Sequence, residues 1–132
     1  MDSEYRQLTV PERDLIEKLL TGAIHGRDEL RTQLNHCRAK QIDDDGTLEL
    51  QCQGGIPAPG KYAPVAEGAY KDADGADIAV ILHLGKGGCM SILEIIKYNG
   101  TRVIRPPSAQ DVAVLLPENP GEKASENADN RK

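Results

Sequence analysis

Several groups of residues have the types and spacing to do chemistry. His83, Glu94 and Tyr98 bring a base, a carboxylate and a phenol into one apolar stretch, 78–98. On one sheet face they would floor a pocket for a small molecule or a substrate. His25, His36, Cys37, Cys52 and His83 offer imidazoles and thiols for a metal or a Cys–His nucleophile. Their spacing matches neither a zinc ligand set nor a local nucleophile motif, so no metal and no cofactor is expected, and Cys37 and Cys52 read as small core residues. Asp72-Ala-Asp74-Gly75-Ala-Asp77 resembles a cation loop but lacks the spacing and the downstream bidentate Glu of an EF-hand. A solvated Asp-Gly turn accounts for it, and also for Asp43-Asp44-Asp45. Gly85-Lys86-Gly87-Gly88 departs from the phosphate-binding pattern and precedes a strand pattern, so it reads as a hairpin turn. No catalytic set emerges, and the chain is not expected to be an enzyme.

The element that positions most of these groups is a hairpin over 78–98, rich in β-branched residues. A loop centred on Lys86 and Gly87 places Ile78, Val80, Leu82 and Leu84 on one face with Cys89, Ser91, Leu93 and Ile95, the expected core. Ala79, Ile81 and His83 share the other face with Met90, Ile92 and Glu94, and Ile96 and Tyr98 continue it. This second face is too apolar for water alone and calls for cover by another segment or a partner.

Upstream, Thr9 and Glu12 form a capping box for a helix with Leu15, Ile16, Leu19 and Leu20 inward, ending at Gly22 or Gly26. A second helix is predicted over 27–36, with Leu30 and Leu34 inward. A hairpin over 37–53 turns at Asp45-Gly46, with Cys37, Ala39 and Gln41 facing the core beside Leu48, Leu50 and Cys52. That turn sets Cys52 opposite Ala39, leaving Cys37 a diagonal neighbour too distant for a disulfide. Residues 53–60 form a loop. Residues 62–70 form a strand weakened by Pro64 and Gly68, better suited to an edge. Asn99-Gly100 turns into a short strand over 102–105, and 112–116 is an apolar run docked on the second face. The fold class is α+β, two N-terminal helices packed on an antiparallel meander of about five to six strands. The domain spans 1–117, and the polar segment 118–132 is expected to be disordered. Alternating strand direction gathers the aspartate turns and Asn99-Gly100 at one end of the sheet, with 85–88 and 54–60 at the other.

Composition narrows the function classes. The 132 residues include no Phe and no Trp, and the net charge is −5. With no basic cluster and little aromatic surface, nucleic acid is an unsuitable partner. The start is polar, with no secretory pattern, and no apolar run reaches the length of a membrane span. Three cysteines without a paired motif read as reduced thiols in the cytoplasm.

The segment from Glu4 through Leu20, the Gln41-Ile-Asp-Asp-Asp-Gly-Thr-Leu-Glu-Leu50 hairpin and Leu93-Glu-Ile95 before Tyr98-Asn-Gly resemble a family of small bacterial domains of unknown function, over residues 4–105. In size and acidity the chain is similar to immunity proteins. That likeness implies a cytoplasmic binding protein that neutralises a toxin. The expected partner surface combines Asp43, Asp44, Asp45, Asp72, Asp74 and Asp77, which steer a basic partner, with Ile92, Ile96 and Tyr98 as apolar anchors. Alternatives are a small-molecule site or enzyme around His83, Glu94 and Tyr98, and a homodimer that buries the second face.

Overall fold

The computed structural model describes residues 4–22, 26–53, 57–58 and 65–115. Helix α1 (Val10–Leu20) begins as its sequence dictates. The Thr9 hydroxyl accepts from the Glu12 amide, the Glu12 carboxylate accepts from the Thr9 amide, and Pro11 lies in the first turn. Leu15, Ile16, Leu19 and Leu20 form its buried stripe, and Gly22 follows the terminal Thr21. Helix α2 (Arg27–Leu34) buries Leu30 and Leu34, and also Gln33.

The strands are β1 (Arg6–Gln7), β2 (Cys37–Gln41), β3 (Leu48–Cys52), β4 (Ala66–Lys71), β5 (Asp77–Leu84), β6 (Met90–Lys97) and β7 (Ala113–Leu115). These seven strands form one antiparallel sheet among the described residues, ordered β1-β2-β3-β6-β5-β4-β7. The fold is α+β as expected, with more strands than the five to six foreseen and without a simple meander order. β3 is followed in space by β6, so β6, the strand with apolar residues on both faces, becomes central instead of β4. The helices and the inward residues of β2 through β6, among them Ala39, Leu48, Leu50, Ile78, Val80, Leu82, Leu93 and Ile95, make one aliphatic core. Helix α1 lies against β4 closely enough that a Cβ on Gly68 would come within 2.5 Å of Val112 Cγ1 and 3.0 Å of Leu19 Cδ2. That close approach, not an edge position, explains the glycine.

Four further expectations are corrected. Residues 102–105 are not a strand, because side-chain carboxylates and not a neighbouring strand bind their amides. The 112–116 run does not lie on the second face: Val112 enters the core and Ala113–Leu115 pairs with β4 as an edge strand. A bulge at the start of β6 pairs Leu84 with Met90 and turns Met90 into the core, so Cys89 and Ser91 lose the inward positions assigned to them. Finally, Cys37 and Cys52 are disulfide-bonded, not reduced. The β2–β3 turn spans residues 42–47 instead of two residues, which slides the register by an even step. The core facing survives, but Cys37 now stands directly opposite Cys52, with Cα atoms 4.0 Å apart. Disulfides persist in oxidising compartments, so the thiol-based ground for a cytoplasmic location falls away. No helix among the described residues is long and apolar enough to cross a membrane. Residues 118–132, 62–64 and His25 lie outside the described residues.

Candidate functional site

The three turns expected at one end of the sheet do meet there. Residues 42–47 join β2 to β3, 72–76 join β4 to β5, and 98–101 follow β6. Segment 102–105 runs across all of them. Its Val103 amide donates to Asp45 Oδ1 at 2.9 Å, and its Ile104 and Arg105 amides donate to the two Asp72 oxygens, both at 2.8 Å. The Arg102 carbonyl accepts from Lys97 Nζ at 2.9 Å, and the Arg105 carbonyl accepts from the Tyr70 hydroxyl at 2.7 Å. The segment is therefore fastened at successive residues by groups from β4, β6 and two turns.

Its anchor is a buried ion network that the sequence reading misplaces. Asp72, expected as a solvated turn residue that steers a partner, has a side chain with 0% exposure. Lys97 at 1% sits 2.8 Å from Asp72 and 2.8 Å from Asp74. Its ammonium fills the place a bound cation would take, which removes the cation-loop reading. Burial alone would raise the Asp72 carboxyl, but the Ile104, Arg105 and Ala73 amides and the Lys97 ammonium outweigh it and hold the carboxyl well below the usual range. Burial likewise pulls Lys97 down, and Asp72 and Asp74 more than restore it, so it rests above its ordinary value. The bond to Lys97 lowers Asp74. Desolvation, reinforced by Asp72, pushes Tyr70 up to about 12.

The remaining expected aspartates have separate tasks. Asp43 Oδ1 accepts from the amides of Asp45 and Thr47, both at 2.9 Å, and shapes the turn. Asp77 pairs with Lys71. Asp44 is 80% exposed and stands 3.8 Å from Arg102. The end stays acidic, with six aspartates against the four paired cations Lys71, Lys97, Arg102 and Arg105, the last paired with Asp111. It is also apolar on its outer surface: Ile42 is 48% exposed, Tyr98 66% and Ile104 60%. Ile42 and Ile104 were not foreseen. Ile42 stands alone in a polar turn and Ile104 lies in the segment expected as a strand, so no periodicity marks either as a surface residue. Beside this end a cleft of about 340 Å³ opens between the first turn of α1, the 42–47 turn and residues 103–107.

The second face is a different surface. His83 Nε2 and Glu94 Oε1 are 2.8 Å apart there, among half-buried Ile81, Ile92 and Ile96. Tyr98 does not join them. Its amide donates to the Asp77 carbonyl, six residues along β5 from His83, or about 20 Å at strand spacing. The His83, Glu94 and Tyr98 site is thus not assembled, and Tyr98 belongs with the acidic end instead of with Ile92 and Ile96. No group of three His, Cys, Asp or Glu among the described residues is placed to hold a metal ion. His36 is exposed beside the Cys37 disulfide.

A family model described as a domain of unknown function (DUF6984) matches residues 5–107. No curated protein and no solved structure matches the chain.

Proposed function

The chain belongs to the DUF6984 family of domains of unknown function, and from its geometry we propose a protein-binding module whose acidic sheet end docks a basic partner. One observation carries this reading. Of the five large hydrophobic residues that stand exposed among the described residues, Ile42, Tyr98 and Ile104 lie on the loops of this end, amid its carboxylates. Apolar anchors that lose water on contact dominate binding energy, and a charged rim steers encounter. The hydrogen bonds to segment 102–105 hold Ile104 on a preformed loop, which lowers the ordering cost of association. In its most specific form the partner is a toxin, and the chain is an immunity protein that neutralises it by covering its working surface. The acidity of the docking end supports that form, being complementary to a basic enzyme.

The test compares capture by immobilised chains from a lysate of the native cell, with bound proteins identified by mass spectrometry. A partner held by the parent chain should be lost by the Ile42→Ser/Tyr98→Ser/Ile104→Ser variant. A control, Leu115→Ser on the β7 edge, should retain it. Equal capture by both variants would remove the acidic end from the function.

A further inference from the structure

We infer that the cleft beside the acidic end receives one basic side chain of the partner, an arginine or a lysine; this rests on the reading just proposed and names what the site takes. The cleft, about 340 Å³, is lined by the first turns of α1, by β3 and β6, by the 42–47 turn and by residues 103–107. Its floor is aliphatic: Leu15, Leu48, Leu93 and Ile95 reach it from the core. Pro11, Pro106 and Pro107 stiffen its walls. The charged residues lining it are Glu12, Asp44 and Asp45, with no lysine, arginine or histidine among them.

The three carboxylates are not equivalent. Glu12 is engaged by both terminal nitrogens of Arg6, each at 2.8 Å, and by the Thr9 amide. Asp45 Oδ1 accepts from the Val103 amide. Among the described residues Asp44 has only Arg102 at 3.8 Å, beyond hydrogen-bond reach and with both side chains 80% exposed. The mouth of the cleft therefore presents acceptors and negative charge above an aliphatic floor. An anion would meet like charge there. A wholly apolar group would strip water from Asp44 and Asp45 without replacing it. A basic side chain satisfies both halves, with its alkyl stem on the leucines and its cationic head at the two aspartates.

The experiment titrates the ¹⁵N-labelled full chain with N-acetyl-arginine amide. The controls are N-acetyl-citrulline amide, of the same shape without charge, and spermine. The arginine probe should shift the amides of Gly46, Leu93 and Val103 saturably, and citrulline should bind at least about tenfold more weakly, the equivalent of one charge-assisted hydrogen bond. Asp44→Asn/Asp45→Asn should weaken the arginine probe by a similar factor, while Asp77→Asn should leave it unchanged. Asn at 45 keeps an oxygen for the Val103 amide; if a urea melt shows that variant unfolded, Asp44→Asn alone is read instead. Equal binding of arginine and citrulline probes, shifts confined to other residues, or no shifts would overturn the inference. Binding of spermine without the arginine probe would also overturn it, by making the cleft a polyamine site. The inference and the docking surface fail separately. A bound arginine probe with capture indifferent to Ile42, Tyr98 and Ile104 keeps the cleft and discards the surface, and the reverse pattern does the opposite.

Discussion

Gln33 ties α2 to the sheet end opposite the proposed docking surface, and its replacement tests the logic of the fold. Its Nε2 donates to the Gly88 carbonyl at 2.7 Å, and its Oε1 accepts from the Met90 amide at 2.9 Å, with the residue fully buried. The losses on substitution differ. The Gly88 carbonyl also accepts from the Ala58 amide at 2.9 Å, so it keeps a partner. The Met90 amide loses its acceptor in a buried setting. Gln33→Met preserves volume and orphans that amide, which costs about 1–3 kcal/mol. Gln33→Ala adds a cavity in the helix–sheet layer and brings the total to about 3–5 kcal/mol. Urea unfolding followed by far-ultraviolet circular dichroism measures both, since the chain has no tryptophan. A small domain has a slope of roughly 1–3 kcal/mol per molar urea, so the methionine variant should lower the midpoint visibly and the alanine variant further. A methionine variant within about 0.5 kcal/mol of the parent would show that the amide finds water, and that Gln33 fills space instead of clamping the turn.

Three further outcomes follow from particular contacts. Asp72 is depressed below its unfolded value, so its contribution is present above about pH 4 and is lost as pH falls toward its folded value. Lys97 and Tyr70 are raised, so theirs are present below about pH 10 and lost as pH rises beyond it. Urea midpoints should therefore be level from about pH 5 to 9 and fall on both sides. Asp72→Asn should lower the plateau and flatten the acid limb, and an acid limb identical to the parent's would contradict the network. Alkylation under denaturing conditions should label one cysteine before reduction and three after it, given the Cys37–Cys52 bond and free Cys89; three labels without reductant would refute the pairing. Gly68→Ala should cost about 1–3 kcal/mol by overpacking, because the new methyl meets Val112 Cγ1 at 2.5 Å, Leu19 Cδ2 of α1 at 3.0 Å and the Ala113 carbonyl at 3.1 Å; a neutral result in the same melt would place Val112 and α1 farther from β4.

Local chemistry is the part of this fold that can be read from the chain. Thr9 and Glu12 lie three residues apart and need only each other to make the cap. The facing of Leu48 and Leu50 follows from strand alternation whatever the turn length, provided the slip is even. Turn length does not follow from alternation: Asp43 holds a six-residue turn through the Thr47 amide where Asp45-Gly46 signals a two-residue one, and only that register sets Cys37 against Cys52. The pairing of β3 with β6 is non-local too, since it requires the chain to pass over and return. The acidic end is legible as a location, because strand direction alternates. Its interior is not, because nothing near Asp72 in sequence reveals that Lys97 and the amides of Ile104 and Arg105 will close around it. Hence Asp72 passes for a solvated turn residue, and the 102–105 segment passes for a strand.

Isoleucine methyl groups divide cleanly between the two surfaces that could carry a partner. Ile42 and Ile104 lie on the loops of the acidic end, and Ile81, Ile92 and Ile96 lie on the second sheet face. A methyl spectrum of the ¹³C-labelled chain, recorded with and without the captured partner, therefore tests the docking surface most directly. Shifted or broadened Ile42 and Ile104 signals beside unmoved Ile81, Ile92 and Ile96 signals are the predicted result. Perturbation of Ile81, Ile92 and Ile96 with Ile42 and Ile104 unmoved would contradict it and place the partner on the sheet face.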